Sequence, residues 1–198
     1  IIIALDELES FAPWTILSGG NPALHDLDDV VTALHRHGKQ VAVETQGTRW
    51  KPWLARVDRL CVSPKPPSSK MNAVLAQLES FMTEAFSAWL EGHLIGDAFG
   101  DWVFIKIVIF DDDDLEFARQ VHEQHPTLPL FLSAGNDAGR TVGNPTRVDT
   151  RSVNDVRLDL MNKSEALVTS VMNDPVLSGV ARVQSQYHVL LWGNKQGV

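Results

Sequence analysis

The stretch that decides the fold is "PWTILSGGNPALHDLDDVVTALHRHGKQVAVET", residues 13–45. It begins with a short apolar run and ends with an alternating one. Between them, apolar side chains recur at the helical spacing i, i+3, i+4 and i+7 over residues 27–34. Asp26 is the predicted N-cap of this helix and Gly38 its predicted C-terminal glycine. The stretch therefore predicts a strand, a helix and a second strand, and strands connected in this way are parallel.

The rest of the chain repeats this alternation of strand and helix. Strands are predicted at residues 59–63, 102–110, 128–133 and 188–192, and helices at about 73–90 and 153–172. A further helix follows "DDDD" at 111–114, with Asp113 as its predicted cap and Glu116 in the capping-box position. The pattern predicts a single α/β domain over residues 1–198. Its mostly parallel sheet is either open or a partial (β/α) barrel.

The composition argues against several classes of protein. Of the 198 residues, 44% are hydrophobic, which is enough for a sizeable core. The net charge is −8 and no run of basic residues occurs, so nucleic acid is not expected as a partner. No apolar stretch reaches the roughly 20 residues of a membrane span, and no signal peptide is visible. The single cysteine, Cys61, can form no disulfide within the chain, which predicts a cytoplasmic location.

Small polar residues follow the predicted strands. Ligands of parallel α/β folds bind beyond the carboxyl ends of the strands, where loops and helix N-termini meet. The segments at these ends are Ser18 to Pro22, Glu44 to Thr48, Ser63 to Pro67 and Ser133 to Asn136. Glycines there let backbone amides approach a ligand closely. The sequence therefore predicts one small-molecule site shared by several loops.

Each of these segments also has a purely structural interpretation. Gly19 and Gly20 fit an ordinary turn, and "SPKPPSS" at 63–69 fits a polyproline connector. Glu44 fits a ligand-facing carboxylate or a capping group equally well. The four aspartates at 111–114 suit a helix N-terminus without any metal. His188 fits a hydrogen-bonded core histidine, because it begins an apolar segment.

Four stretches, taken together and in order, carry a family resemblance. They are "LSGGNPALH" at 17–25, "VAVETQGT" at 41–48, "VSPKPPSSKM" at 62–71 and "VQSQYHVLLWGNKQGV" at 183–198. With them the chain, from about Trp14 to Val198, resembles the 7-carboxy-7-deazaguanine synthases in their actinobacterial form. These are radical S-adenosylmethionine enzymes. The resemblance implies a partial (β/α) barrel of the radical S-adenosylmethionine type.

The resemblance also implies roles for individual residues. Gly19 and Gly20 match the motif that holds the amino group of S-adenosylmethionine, although Asn21 stands where the family has glutamate. Further cofactor contacts fall on Ser63, Pro64, Lys65, Ser133, Ala134, Gly135 and Asn136, and Glu44 is added from its place at a strand end. Substrate contacts fall on Ser18, Gln186, His188 and the carboxylate of Val198. No residue of this sequence is assigned as catalytic or as a metal ligand.

The reaction implied by the resemblance is that of a lyase in queuosine and 7-deazapurine biosynthesis. It converts 6-carboxy-5,6,7,8-tetrahydropterin to 7-carboxy-7-deazaguanine with loss of ammonia, using S-adenosylmethionine, a [4Fe–4S] cluster and Mg²⁺. The family's Cys-x3-Cys-x2-Cys motif precedes the double glycine, and its magnesium-binding hydroxyl follows that motif. This sequence has only Cys61. We therefore expect the first strand and the cluster loop to be absent from it, and the chain alone to form no cluster and to be inactive.

Two other functions remain open at this stage. One is a different radical S-adenosylmethionine enzyme, such as an activating enzyme. The other is a non-catalytic paralogue or fragment that binds a pterin or purine-like ligand, or a partner protein, in the inherited pocket. The family is typically homodimeric, and exposed apolar segments containing tryptophan at 50–53 and 89–102 would allow a homodimer here.

Overall fold

A computed structural model describes residues 12–71, 74–92, 97–136 and 151–193. The strands are β1 (Trp14–Leu17), β2 (Gln40–Thr45), β3 (Arg59–Val62), β4 (Val103–Ile109), β5 (Leu130–Ala134) and β6 (Ala181–Val183). The helices are α1 (Asp28–Arg36), α2 (Val74–Gly92), α3 (Phe99–Trp102), α4 (Asp112–Gln124), α5 (Val153–Met172) and α6 (Tyr187–Trp192). Short 3-10 helices lie at Pro22–Leu24, Pro52–Arg56 and Pro67–Ser69. No helix in the described part of the chain is long and apolar enough to cross a membrane.

The strands form a six-stranded sheet in the order β1-β2-β3-β4-β5-β6. Parallel pairing is observed for β1 with β2, β2 with β3, β3 with β4, and β5 with β6. Helices connect successive strands, so the predicted α/β class with parallel strands is confirmed. The pairing is linear rather than closed in the described residues, which agrees with a partial barrel.

The chain divides into two compact units. The first comprises Ile1–Lys65, Met71–Lys106 and Thr127–Pro129. Strands β2 and β4 alternate buried with half-buried side chains, so one face of the sheet in this unit is dry. The core on that face includes Val41, Val43, Leu60, Val62, Val103, Ile105, Leu78 and Phe81. The opposite face, which we call the open face, carries Ile16, Ala42, Glu44, Phe104 and Lys106, all half-buried or exposed.

The second unit comprises Pro66–Lys70, Ile107–Pro126 and Leu130–Val198. Helix α5 packs against β5 and β6 and contacts α6. Its inward side buries Val156, Leu160, Leu167 and Val171. Ser152 begins α5 with a capping box, because its hydroxyl accepts from the Asp155 amide and Asp155 accepts in return from the Ser152 amide. The single-domain prediction for residues 1–198 stays a prediction.

The predicted last strand was wrong. Residues 188–192 lie in helix α6, and the last strand is β6, Ala181–Val183, which the sequence analysis did not predict. A five-residue apolar run fits a strand or a short helix equally well. In the structure the guanidinium of Arg157 donates to the carbonyls of Leu190 and Leu191, and these contacts hold the end of the helix against α5.

Helix ends were predicted with mixed success. Gly38 follows α1 with φ 70°, and the Lys39 amide donates to the Leu34 carbonyl, so the predicted C-terminal glycine is confirmed as part of a Schellman motif. The N-cap of α1 is Leu27 and not Asp26. The N-cap of α4 is Asp111 and not Asp113, because the Asp111 carboxylate accepts from the Asp114 amide. Each aspartate in the run 111–114 is a good N-cap residue, so the sequence alone does not specify which of them caps α4.

Two tryptophans predicted to lie on exposed segments are buried. Trp53 donates from its indole nitrogen to the His25 carbonyl at 3.1 Å. Trp102 donates in the same way to the Val57 carbonyl at 2.8 Å. Both side chains therefore belong to the core of the first unit and offer no surface to a second subunit.

Candidate functional site

The loop after β1 leaves backbone exposed at the double glycine. Ser18, Gly19 and Gly20 are all exposed, and Gly19 has φ 95°, a conformation that L side chains rarely adopt. A Cβ added to either glycine would meet nothing within 4 Å. The loop therefore presents main-chain groups to open space at the carboxyl end of β1, where a ligand could approach.

Asn21 is turned away from that space and holds the loop in place. It is buried, and its side-chain oxygen accepts a hydrogen bond from the Thr45 hydroxyl at 2.8 Å. Its side-chain nitrogen donates to the Thr48 hydroxyl at 3.2 Å. Asparagine at this position thus fastens the double-glycine loop to the end of β2 by neutral hydrogen bonds.

Glu44 forms an ion pair with a lysine that the sequence analysis missed. The Lys106 ammonium on β4 lies 2.7 Å from the Glu44 carboxylate on β2, and the two side chains are 23% and 33% exposed. Both belong to the open face of the first unit. The sequence does carry a signal for this lysine, because it interrupts the apolar run "FIKIVIF" at 104–110. Strand alternation places its side chain on the face opposite the buried valines and isoleucines.

Cys61 is an unreactive thiol below this ion pair. Burial and, to a smaller extent, the Glu44 carboxylate raise the pKa of Cys61 to about 12, against the lowering effect of Lys106 and Lys65. Iron–sulfur clusters bind cysteine thiolates, and this side chain stays protonated at neutral pH. The chain's one cysteine is therefore a core residue and does not fit a cluster ligand set.

The segment after β3 begins with buried residues and leaves its lysine half-buried. The Ser63 amide donates to the Thr45 carbonyl at 2.7 Å, which continues the β2–β3 ladder beyond the end of β3. Ser63 and Pro64 are buried, and Lys65 is half-buried. The first unit thus brings together the predicted residues of three strand ends. These are Ser18, Gly19, Gly20, Glu44, Ser63, Pro64 and Lys65.

The second unit brings together the strand end of β5 and Gln186. The side-chain amide of Gln186 donates to the Ala134 carbonyl at 2.8 Å. The Gly135 amide donates to the Ile109 carbonyl at 2.7 Å, and a Cβ on Gly135 would lie 2.4 Å from the Phe110 ring. Ser133 is buried, and Asn136 is half-buried. This strand end is therefore tightly packed.

The remaining predicted substrate residues are His188 and Val198. His188 is exposed on α6, so it is neither a core histidine nor part of a strand. Val198 lies outside the described residues. The placement of His188 follows from the helical conformation of residues 187–192, in which Val189 takes the buried position.

The aspartate run is structural. Asp114 is fully buried, and its carboxylate accepts from the Ser68 amide at 3.0 Å and the Phe110 amide at 2.9 Å. It thereby fastens part of the proline-rich segment to the start of α4. In the described ranges, no group of three or more histidine, cysteine, aspartate or glutamate side chains could hold a metal ion.

A groove of about 450 Å³ lies elsewhere in the first unit, between residues 48–50 and α2. Its lining is mixed, with Trp50 packed edge-on against Phe81 and with charged Arg49 and Glu84. Of the predicted strand-end segments, only Thr48 lines this groove. We place the candidate site at the strand ends instead, because the exposed backbone and the polar residues of three strands meet there.

Comparison with known proteins identifies close relatives. No family model matches the chain. It is 37% identical over 193 residues to a protein of Bacillus cereus and 40% identical over 191 residues to one of Bacillus subtilis, both named 7-carboxy-7-deazaguanine synthase. Each alignment covers 96% of this chain and 70% of the relative. A solved structure titled "Crystal structure of QueE from Escherichia coli" matches 93% of this chain and 61% of that one, with 16% identity and a TM-score of 0.46.

Proposed function

Because this chain belongs to the 7-carboxy-7-deazaguanine synthase family, we propose that it converts 6-carboxy-5,6,7,8-tetrahydropterin to 7-carboxy-7-deazaguanine with release of ammonia. The observation that carries the proposal is the 37–40% identity over 96% of the chain. The activity is that of a radical S-adenosylmethionine lyase in 7-deazapurine biosynthesis.

S-adenosylmethionine is the proposed ligand of the strand ends in the first unit. The exposed backbone of Gly19 and Gly20 offers groups to its methionyl ammonium, and the half-buried Lys65 offers a cation. The family resemblance adds the hydroxyl of Ser63, which is buried next to Lys65. This mixed donor set fits a ligand that carries an ammonium, a carboxylate and a ribose. When bound, the cofactor would supply the radical chemistry of the reaction.

Other residues keep roles that the family resemblance assigns. We propose further cofactor contacts for Ser133, Ala134, Gly135 and Asn136. Substrate contacts are proposed for Ser18, Gln186, His188 and Val198. The hydrogen bond from Gln186 to Ala134 supports a positioning role for Gln186, because it holds the end of β5. These chain residues bind and orient, and no proton transfer is assigned to any of them.

The residues of this sequence do not fit the metal groups of the family reaction. A cluster needs three cysteine thiolates, and Cys61 is single and buried. We therefore derive no step through the cluster or through Mg²⁺, and dependence on both stays a proposal about the family's reaction. A cytoplasmic location likewise stays a prediction.

A homodimer is also proposed, and the outward side of α5 supports it. Leu158, Met161, Val168 and Met172 are 60%, 60%, 39% and 71% exposed. Their spacing of 3, 7 and 4 residues aligns them along one side of the helix, next to the side that buries Leu160 and Val171. Contiguous exposed apolar residues mark interaction sites, and most soluble oligomers are symmetric assemblies of one chain.

The reaction is tested under anaerobic conditions with this chain joined to a segment that carries the family's Cys-x3-Cys-x2-Cys motif, because the chain alone is expected to form no cluster and to be inactive. The assay supplies 6-carboxy-5,6,7,8-tetrahydropterin, S-adenosylmethionine, iron, sulfide, Mg²⁺ and a reductant, and mass spectrometry follows the products. The expected result is 7-carboxy-7-deazaguanine formed only when S-adenosylmethionine is present. Cleavage of S-adenosylmethionine without this product would favour a different radical enzyme. Tight pterin binding without any turnover would favour a non-catalytic relative.

A further inference from the structure

Lys106 lies beside the proposed cofactor segment. Val62 pairs with Ile105 in the β3–β4 register, so Lys106 comes one residue further toward the carboxyl ends, next to Ser63. Strand alternation directs its side chain to the open face, together with Glu44 across β3. The Lys106 ammonium thus lies on the open face, level with Ser63 at the carboxyl end of β3.

The Lys106 ammonium has donor capacity beyond its ion pair. A lysine ammonium has three N–H bonds, and the Glu44 carboxylate accepts one of them at 2.7 Å. The lysine side chain is 23% exposed, so it is partly removed from water. A partly desolvated cation interacts more strongly with an anion than a fully solvated one does.

Two lysines and one glutamate of the described residues act electrostatically on the thiol of Cys61. They are Lys106 and Lys65, which lower its pKa, and Glu44, which raises it. Lys106 and Glu44 form an ion pair with each other, and Lys65 is a second cation within range of the same thiol. An excess positive charge at a half-buried site favours an anionic ligand group.

We propose that Lys106 binds a carboxylate of the ligand, with Glu44 as the residue that positions its ammonium. The inference rests on the proposed function, because the two ligands of that reaction both carry a carboxylate. One is the α-carboxylate of S-adenosylmethionine, and the other is the 6-carboxylate of the pterin. A planar two-oxygen acceptor can take the N–H bonds of Lys106 that point away from Glu44.

The test compares ligands that differ only in the carboxylate. Binding of S-adenosylmethionine and decarboxylated S-adenosylmethionine is measured by titration calorimetry, and binding of 6-carboxypterin and pterin by pterin fluorescence. Lys106→Met is expected to weaken the carboxylate-bearing member of one pair by roughly tenfold to a hundredfold, and the other member by much less. The pair that responds identifies the source of the carboxylate. Lys106→Arg, which keeps the charge, is expected to retain most of the affinity.

Two further variants separate binding from folding. Lys39→Met removes a lysine at the amino end of β2, where its ammonium donates to the Ala12 carbonyl, and is expected to change neither pair. The double variant Glu44→Gln with Lys106→Met leaves no unpaired charge on the open face, and it should lose the same carboxylate preference as Lys106→Met alone.

The outcomes distinguish this inference from the proposed function. If the wild-type chain binds these ligands and Lys106→Met keeps the full preference for the carboxylate, the inference is overturned and the proposed function stands. If the wild-type chain binds none of the four ligands, both are overturned. Equal weakening within each pair would also overturn the inference, because it would indicate a general loss of structure.

Discussion

At the scale of the residue, the two positions of the double glycine need glycine for different reasons. Gly19 needs glycine because its φ is 95°, whereas Gly20 has an ordinary conformation and open space around it. A side chain at Gly19 therefore strains the backbone. A side chain at Gly20 costs nothing in the free protein and occupies only the space that a ligand would use.

The pair Gly19→Ala and Gly20→Ala tests this difference. Gly19→Ala is expected to lower the free energy of unfolding by about 1–2 kcal/mol, because an L residue adopts this φ poorly. Gly20→Ala should leave stability within about 0.5 kcal/mol of the wild type but weaken S-adenosylmethionine binding. Urea unfolding and titration calorimetry measure the two effects. Normal cofactor binding by Gly20→Ala would argue against close approach of the ligand to this backbone.

At the scale of the element, the start of the turn after α5 depends on a buried carboxylate. Asp174 accepts from Arg119 on α4 at 2.6 Å and from the amides of Val176 and Leu177, both at 2.9 Å. Burial by itself would raise the pKa of Asp174, but the hydrogen bonds from Leu177, Arg119 and Val176 outweigh it and hold the pKa below the ordinary 3.8. A depressed carboxyl pKa stabilises the fold above the unfolded value, and this stability is lost as the pH falls through the folded value.

Asp174→Asn is therefore expected to lower the free energy of unfolding at pH 7 by about 2 kcal/mol. The difference from the wild type should begin to shrink below about pH 3.8, where the carboxyl of the unfolded chain becomes protonated, and should close as the pH falls through the lower pKa of the folded protein. Urea unfolding followed by circular dichroism at pH 7 and pH 3 measures both values. Glu116→Gln is the matched control, because Glu116 bonds the same Arg119 from an exposed position and should contribute little. A constant difference across this pH range would exclude the carboxylate as the cause.

Among the predicted elements, a strand and a long helix have the bounds that the sequence indicates, whereas the segment 188–192 does not form the predicted strand. The bounds of β2 and α5 agree with the predicted residues 40–45 and 153–172, because strict alternation or a long uninterrupted stretch between clear end signals leaves little choice. The segment 188–192 has too few residues to distinguish helical from strand periodicity. Its helix is decided by carbonyl contacts to Arg157, which lies about thirty residues earlier in the chain.

At the scale of the whole molecule, the apolar side of α5 predicts self-association. Met161→Glu and Leu158→Glu each place a charge on the exposed stripe. The wild type is expected to have twice the chain mass of 21.9 kDa by light scattering, and each variant the mass of one chain. Leu24→Glu is the control, because it changes an equally exposed leucine in the first unit and should leave the dimer intact. A wild-type mass of one chain would contradict the homodimer proposal.

The sequence by itself determined the α/β class, the parallel direction of the strands and the segments that follow the strands it predicted correctly. Such information is local, because periodicity reports burial and the handedness of the crossover restricts the connection. Only the tertiary structure decided which side chains meet. Asn21 bonds Thr45 across 24 residues, Asp114 bonds Ser68 across 46, and Glu44 bonds Lys106 across 62. Those contacts depend on strand register and loop path, which no local pattern specifies.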